Sequence, residues 1–316
     1  MSSTKPIPLR IALDWTPNTL HTGLLLALSQ NLYASSNPPL TVTLISPDLS
    51  NYVTPAKQVE QGTADLAIVP SESVIAYAES AKPGVKLQAI YAICQKDASA
   101  IVSTTVKTIG ELGREGKKYG SYNARYEDST IRALIQQDGG EGSKLGIEKD
   151  TGKGDLFERV KQGELDATWI FLPWEGVEAE LEGKELSVFP VSGSEGKGVP
   201  YGYSPVIARN AAAKAGVSEE ALRAFCKATR KGYEIAMQAE REKGVVGLLS
   251  EKCGENRSRD FLTRSQQSVN QYYGGEGELG SMRKERWEEW VAWLREQDLV
   301  KADIDVDGLW TNNYLG

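Results

Sequence analysis

The feature that most constrains the fold of this sequence is a repeated alternation of short apolar runs with stretches of helical spacing. The apolar runs have the length and composition of buried strands, and the stretches between them place their apolar residues on one helical face. In the first set, the predicted elements are strand 9–15, a helix begun at Asn18 or Thr19, strand 40–45, helix 55–61, strand 64–69 and a helix that Ser71 caps. Strands joined through helices are parallel neighbours in one sheet, so this set predicts an α/β unit with a parallel sheet.

A second set of strands and helices follows, and it gives way to a helical tail. The predicted strands of this set are 87–94, 100–103, 118–122, 167–172 and 186–191, and its predicted helices are 128–137, 156–162 and 174–181. From Ser218 the spacing is helical almost to the end, which predicts helices over 219–242, 244–252, 259–273 and 282–296.

Chain length and the order of these elements predict two lobes. A chain of 316 residues exceeds what one hydrophobic core usually organises. We expect the chain to cross between the lobes near residues 95–98 and again near 201–204. Residues 1–96 and 205–316 would then form lobe 1, residues 97–204 would form lobe 2, and a ligand cleft would lie between them. The predicted fold class is α/β, two-lobed, with a long helical C-terminal tail.

Charge and composition exclude several classes of partner. The formal net charge is −7, and the Lys and Arg residues form no extended basic cluster of the kind that binds nucleic acid. No run approaches the roughly 20 apolar residues that span a bilayer, and residues 1–8 contain no apolar signal-peptide core. The three widely spaced cysteines are typical of reduced thiols. We therefore expect a cytoplasmic protein with no nucleic-acid or membrane partner, and the sequence leaves its oligomeric state open.

Polar and aromatic residues concentrate where the predicted strands end. Open α/β sheets bind their ligands at these carboxyl ends. Trp and Tyr offer flat faces for stacking on a ring, and a carboxylate accepts hydrogen bonds from an exocyclic amine. The predicted ligand-binding residues are Asp14, Trp15, Asn18, His21, Ser71, Glu72, Tyr122, Arg125, Tyr126, Trp174 and Glu175, together with Tyr201 and Tyr203, which are equally consistent with hinge packing.

Several of these residues also have a structural interpretation. Asp14 and Trp15 are consistent with capping and packing of the first helix. Ser71 is typical of a helix N-cap, and a single histidine such as His21 is more often hydrogen-bonded than metal-binding. Glu175 is consistent with a solvated first-turn carboxylate that the helix dipole favours.

Whether the ligand carries an anionic group stays open at this point. The turn at residues 122–126 joins a predicted strand to a helix, but it lacks the glycine spacing of a phosphate-binding loop. Arg125 would either pair with Glu127 or Asp128, or bind a phosphate or carboxylate through its guanidinium.

One segment resembles a known family. The sequence LDWTPNTLHTG at residues 13–23 resembles the signature of bacterial thiamine-pyrimidine-binding proteins and of the related fungal pyrimidine synthase that uses pyridoxal phosphate. The motifs DLAI at 65–68, DATW at 166–169 and Trp174-Glu175 fall where that family places its repeated strands and its ligand-facing acid. The resemblance implies a type II periplasmic-binding-protein fold, with the Trp15 region and Glu175 facing an aromatic ligand.

The sequence departs from the synthase of that family at its reactive positions. The synthase holds pyridoxal phosphate on a lysine and consumes a histidine about one helical turn later. Counted from Asp65, those positions are Val69 and Ser73 here, and His21 is the only histidine in the chain. The cysteine-rich metal segment of the family is also missing. We therefore expect no catalytic residue, no cofactor and no metal.

These observations predict binding without turnover. The leading hypothesis is that two lobes close over a small aromatic heterocycle, a thiamine-pyrimidine-like ring or a related vitamin precursor. One alternative is a cytosolic enzyme of thiamine-pyrimidine or vitamin B6 metabolism that uses a different set of residues. A further alternative is the soluble component of an importer, which the lack of an export signal disfavours.

Overall fold

The computed structural model describes residues 5–150, 155–193, 198–213, 216–238, 241–254, 257–275 and 277–316. The chain divides into two compact units. Unit 1 comprises Met1–Lys96, Gly202–Glu288 and Val300–Gly316, and unit 2 comprises Asp97–Tyr201 and Glu289–Leu299. Relative to the predicted lobes, residues 202–204 lie in unit 1 and residues 289–299 lie in unit 2.

The described elements follow the predicted alternation closely. The strands are β1 (Ile7–Ala12), β2 (Leu40–Ile45), β3 (Leu66–Val69), β4 (Leu87–Ala92), β5 (Ser99–Ser103), β6 (Lys118–Ser121), β7 (Gly146–Lys149), β8 (Ala167–Phe171), β9 (Ser187–Pro190) and β10 (Val206–Asn210). The helices are α1 (Thr22–Ser29), α2 (Pro55–Gln61), α3 (Ser71–Ser80), α4 (Glu127–Gln137), α5 (Leu156–Lys161), α6 (Val177–Leu181), α7 (Glu219–Ala236), α8 (Glu242–Lys252), α9 (Arg259–Tyr273) and α10 (Lys284–Glu296). Among the described residues, no helix combines the length and apolar composition needed to cross a bilayer.

Each unit is built on a mixed five-stranded sheet. In unit 1 the strand order is β2-β1-β3-β10-β4, with β1 parallel to β2 and β3, and β10 antiparallel to β3 and β4. In unit 2 the order is β7-β6-β8-β5-β9, with β6 parallel to its neighbours and β5 antiparallel to β8 and β9. The strands of the first predicted set, β1, β2 and β3, are parallel as predicted. The sheet is mixed because β10, which the sequence did not predict, enters from a distant part of the chain and no single crossover helix fixes its direction.

In both units an aspartate fixes the register of two neighbouring parallel strands. In unit 1 the Asp65 carboxylate accepts the backbone N–H of Arg10 at 2.7 Å, and the Asp65 N–H donates to the Arg10 carbonyl at 2.9 Å. In unit 2 the Asp166 carboxylate accepts the Lys118 N–H at 2.9 Å, and the Asp166 N–H donates to the Lys118 carbonyl at 2.8 Å. The two aspartates of the repeated motifs therefore align β1 with β3 and β6 with β8, which is a structural role.

In unit 1, α1 and α7 approach each other at glycines. A Cβ atom added at Gly23 would lie 2.3 Å from the ring of Tyr233, and one added at Gly232 would lie 2.0 Å from the Gly23 carbonyl oxygen. Only hydrogen side chains fit at this crossing, because interior packing leaves no space for a methyl group. The buried Tyr233 hydroxyl donates to the Leu20 carbonyl at 2.9 Å, which joins α7 to the segment that follows β1.

Candidate functional site

The segment after β1 carries a buried histidine behind a half-buried carboxylate. The His21 Nδ1 atom accepts the Asn18 backbone N–H at 3.2 Å, so the ring proton is on Nε2. That Nε2 lies 2.8 Å from the Asp14 carboxylate and donates to it. The Asn18 side-chain oxygen accepts the Leu20 N–H, and its amide donates to the Thr16 carbonyl. Asn18 and His21 therefore hold the segment, and Asp14 is the member of the group that solvent reaches.

An exposed aromatic pair flanks Asp14. Trp15 is 50% exposed and Tyr52 is 48% exposed, and the Tyr52 hydroxyl lies 3.4 Å from the Asp14 carbonyl oxygen. Tyr52 belongs to the loop after β2, which runs parallel to β1, so both loops leave the same edge of the sheet. Sequence reasoning missed Tyr52, although an aromatic residue soon after a predicted strand was a usable signal.

The segment after β3 is buried. α3 begins at Ser71 with Pro70 at the N-cap, and no side chain caps it, so the predicted capping by Ser71 is wrong. Instead, the Ser71 N–H donates to the Tyr203 carbonyl at 2.9 Å, and the Ser71 hydroxyl donates to the Glu72 carboxylate at 3.3 Å. Ser71 is fully buried and Glu72 is 5% exposed, so this junction offers little polar surface to a ligand.

The turn after β6 is organised by the buried carboxylate of Glu127. One Glu127 oxygen accepts the Tyr122 N–H at 3.1 Å and the Tyr119 hydroxyl at 2.9 Å, and the other accepts the Ala124 N–H at 2.9 Å. Burial raises the pKa of the Glu127 carboxyl despite these hydrogen bonds, which lower it. The turn closes on Tyr126, whose φ of 64° is left-handed. Such a conformation is strained for a bulky residue.

Neither ion pair that the sequence suggested for Arg125 is present. Glu127 is occupied as described, and Asp128 accepts from the Ser121 hydroxyl at 2.7 Å and lies 3.6 Å from the Lys149 amine. Arg125 is exposed, and its guanidinium makes no hydrogen bond or ion pair within the described part of the chain. The other interpretation, an anion-binding arginine, stays a prediction.

Glu175 lies on an irregular turn after β8. The turn Leu172–Gly176 is π-helical, a conformation that often occurs at functional sites. The Glu175 carboxylate accepts the Phe171 N–H at 3.0 Å. Burial raises the pKa of this carboxyl to about 7; the backbone hydrogen bonds oppose the rise, and the charges of Asp155 and Glu178 add to it. Glu175 is therefore poised between its acid and its anion near neutral pH.

Tyr122 and Glu175 lie at one edge of the unit 2 sheet. β6 and β8 are parallel neighbours, so the segments that follow them leave the sheet together. Burial, followed by the negative charges of Glu175 and Asp155, raises the pKa of the Tyr122 hydroxyl. Tyr122 nevertheless keeps 41% of its surface exposed, and Trp174 on the π-helical turn is half-buried. This edge, which we call the unit 2 edge, combines a flat aromatic surface with a carboxyl of raised pKa.

The two tyrosines near the second predicted crossing pack against aromatic side chains. Tyr201 is 7% exposed, and its ring centroid lies 5.7 Å from Trp169 and 5.2 Å from Trp290. Tyr203 is 1% exposed; its hydroxyl accepts the Arg283 N–H at 2.9 Å. The structure therefore places both rings in packing positions.

The positions that carry the reactive residues in the resembling synthase are apolar or hydroxyl-bearing here. Val69 is 2% exposed at the end of β3, and Ser73 lies half-buried on α3. Within the described residues, no three His, Cys, Asp or Glu side chains are grouped so that they could hold a metal ion.

Comparisons with known proteins identify the family of the chain. A model of the NMT1/THI5-like family matches residues 18–242. A formylaminopyrimidine-binding protein of Halalkalibacterium halodurans is 23% identical over 304 residues, which cover 93% of this chain and 86% of that protein.

Solved structures of similar fold include binding proteins for other small molecules. The alkanesulfonate-binding protein SsuA of Xanthomonas axonopodis pv. citri has a TM-score of 0.70 at 14% identity, covering 98% of this chain and 99% of that one. The periplasmic nitrate-binding protein NrtA of Synechocystis has a TM-score of 0.70 at 13% identity, covering 98% of this chain and 87% of that one. The predicted type II periplasmic-binding-protein fold is thereby confirmed.

Proposed function

Because this chain belongs to the NMT1/THI5-like family, we propose that it binds a flat aminopyrimidine-like heterocycle and releases it unchanged. The observation that carries the proposal is the Glu175 carboxyl at the unit 2 edge, whose pKa is raised to about 7. Related binding proteins of the fold differ in their ligands, so the ligand class is argued from the residues of this chain.

The hydrogen-bonding edge of an aminopyrimidine matches a carboxyl group of this kind. Its exocyclic amine donates a hydrogen bond, and the adjacent ring nitrogen accepts one or takes up a proton. A carboxyl with a pKa near 7 accepts from the amine and shares a single proton with the ring nitrogen. An ordinary solvated glutamate would be fully ionised at neutral pH and would not hold that proton.

Aromatic side chains supply the stacking surface. At the unit 2 edge these are Tyr122 and Trp174, and stacking adds about 0.5–1.5 kcal/mol beyond the buried area. In unit 1 we extend the proposal to Asp14, which His21 orients, and to the exposed Trp15 and Tyr52. The predicted closing of the two lobes and the predicted cytoplasmic location stay predictions.

The residues favour this ligand over the anions that name the alkanesulfonate- and nitrate-binding proteins of the same fold. An anion needs positive charge or free backbone amides at the strand ends. Here the strand-end segments carry Asp14, Glu72, Glu127 and Glu175, and Arg125 is the exposed cation among them. The chemistry of the synthase that this chain resembles is not supported, because Val69 stands where that enzyme needs a lysine for pyridoxal phosphate.

Isothermal titration calorimetry tests the proposal with four probes: the aminopyrimidine precursor of thiamine, formylaminopyrimidine, the precursor ring with methyl in place of the amine, and an alkanesulfonate. A charged hydrogen bond contributes about 1.5–3 kcal/mol, so the methyl analogue should bind roughly ten- to a hundredfold more weakly than the amine. Binding of the alkanesulfonate with no heat from either amine-bearing ring would contradict the proposal.

A further inference from the structure

We infer that Glu127 makes this protein select against phosphorylated forms of its ligand, because its carboxylate already binds two backbone amides of the turn between β6 and α4. The inference rests on the proposed function and specifies its ligand class: an amine-bearing ring without a phosphate. It concerns a residue that the proposed contacts with the ring do not use.

A strand-to-helix turn normally binds phosphate through free backbone amides. Donors at the start of a helix point towards the ligand, and the helix dipole favours negative charge there. The turn between β6 and α4 has this position in the chain, and α4 is an 11-residue helix. Whether phosphate can bind here therefore depends on whether the backbone amides of this turn are free or already hydrogen-bonded.

Three consecutive amides of this turn are already satisfied by oxygen atoms of the chain. The N–H groups of Tyr122 and Ala124 donate to the two oxygens of Glu127, and the N–H of Asn123 donates to the Ser121 hydroxyl at 3.0 Å. Glu127 is 4% exposed, so it holds these amides from inside the protein. A phosphate would have to displace a buried carboxylate, which would then lose both of its backbone donors and keep only the Tyr119 hydroxyl.

The surrounding charge acts in the same direction. After burial, the causes that raise the pKa of the Tyr122 hydroxyl are the negative charges of Glu175, Asp155, Glu127 and Asp150. Two of these groups, Asp155 and Asp150, take no part in the contacts proposed for the ring, and their negative charge acts on a tyrosine that is exposed at this edge. Placing a like charge beside them is unfavourable. The exposed Arg125 opposes this effect, so the test has to separate its contribution.

Calorimetry with the aminopyrimidine precursor of thiamine and its phosphate monoester tests the inference. The wild-type protein should bind the ester at least roughly tenfold more weakly than the alcohol. Glu127→Gln replaces one of the two carboxylate oxygens by an NH2 group, so one amide of the turn loses its acceptor. The ratio of the two affinities should then fall towards one. Asp128→Asn is the matched control: it removes a charge from the next residue, which touches no amide of the turn, and should keep the wild-type ratio.

The outcomes separate the inference from the proposed function. If the alcohol and the ester bind wild type equally well, the inference is overturned while aminopyrimidine binding stands. If Arg125→Gln abolishes binding of an ester that wild type accepts, Arg125 is the anion site and the inference is likewise overturned.

If neither ring compound binds, the proposed function fails, and a melting experiment with inorganic phosphate tests the inference. Inorganic phosphate should raise the melting temperature of Glu127→Gln and leave that of wild type unchanged. A higher melting temperature of wild type in inorganic phosphate would overturn the inference. This measurement does not depend on whether Glu127→Gln folds.

Discussion

Two glutamates at the unit 2 edge show how the same residue type acquires different roles. Glu127 is enclosed by hydrogen-bond donors of its own turn, whereas Glu175 accepts from the Phe171 N–H. In the sequence, Glu175 is typical of a solvated acid in the first turn of a helix, and Glu127 is a residue just before a predicted helix. In the structure burial raises the pKa of both carboxyls. Burial depends on contacts that no short stretch of sequence encodes. For the same reason, Glu127 was predicted as a partner of Arg125 and not as an anchor of the turn.

The raised pKa of Glu175 predicts how stability depends on pH. The folded-state pKa of about 7 exceeds the usual value of 4.5, so the folded protein binds more protons than the unfolded chain between these values. The free energy of unfolding should therefore fall as pH rises from about 4.5 to about 7, by at most about 3 kcal/mol from this group. Urea unfolding of wild type and Glu175→Gln at several pH values measures this. The stability difference between them should change in that window; a constant difference would contradict the assigned pKa.

Glu175 also predicts proton uptake on binding. At about pH 8 the free carboxyl is mostly ionised, and the complex holds one proton between it and the ring nitrogen. Binding should therefore take up close to one proton per ligand at pH 8 and much less at pH 6. Calorimetry in buffers of different ionisation enthalpy gives this number. Glu175→Gln should abolish the uptake and weaken binding by about 1 kcal/mol, the difference between charged and neutral hydrogen bonds. Uptake that persists in this variant would exclude Glu175 as the proton holder.

At the scale of elements, helices and strands with strong local signals were predicted at their observed bounds. β2, α2 and α9 begin and end at the predicted residues. The sequence did not predict β10, because its apolar run is only Val206, Ile207 and Ala208 and no crossover helix leads into it. β7 was also missed, because Gly146–Lys149 contains a glycine and two charged residues. In both strands the partner in the sheet, not the local sequence, stabilises the extended conformation.

The crossing of α1 and α7 yields a prediction at the same scale. Gly232→Ala should destabilise the protein by about 1–3 kcal/mol, since the added methyl meets backbone at 2.0 Å. Gly247→Ala on α8 is the matched control, because its nearest heavy atom outside the helix is 3.7 Å away. It should stabilise the protein by up to about 1 kcal/mol through helix propensity. Chemical denaturation measures both, and equal effects in the two variants would contradict the close approach.

At the scale of the whole molecule, the two units share one construction. Each has a mixed five-stranded sheet, and each aligns two parallel strands through an aspartate at the start of the second. The sequence predicted the fold because both sets of strands and helices carry regular signals. Its prediction of the ligand depends on four strand-end segments, of which the structure leaves Asp14 and Glu175 partly accessible and buries Ser71 and Glu72.

A crystal structure of the protein with the aminopyrimidine precursor of thiamine tests the central claim most directly. Our account predicts that the exocyclic amine lies about 2.7–3.2 Å from the Glu175 carboxyl, with the ring against an aromatic side chain of the unit 2 edge. A ring whose exocyclic amine faces solvent, or a ring bound away from Glu175, would contradict this account.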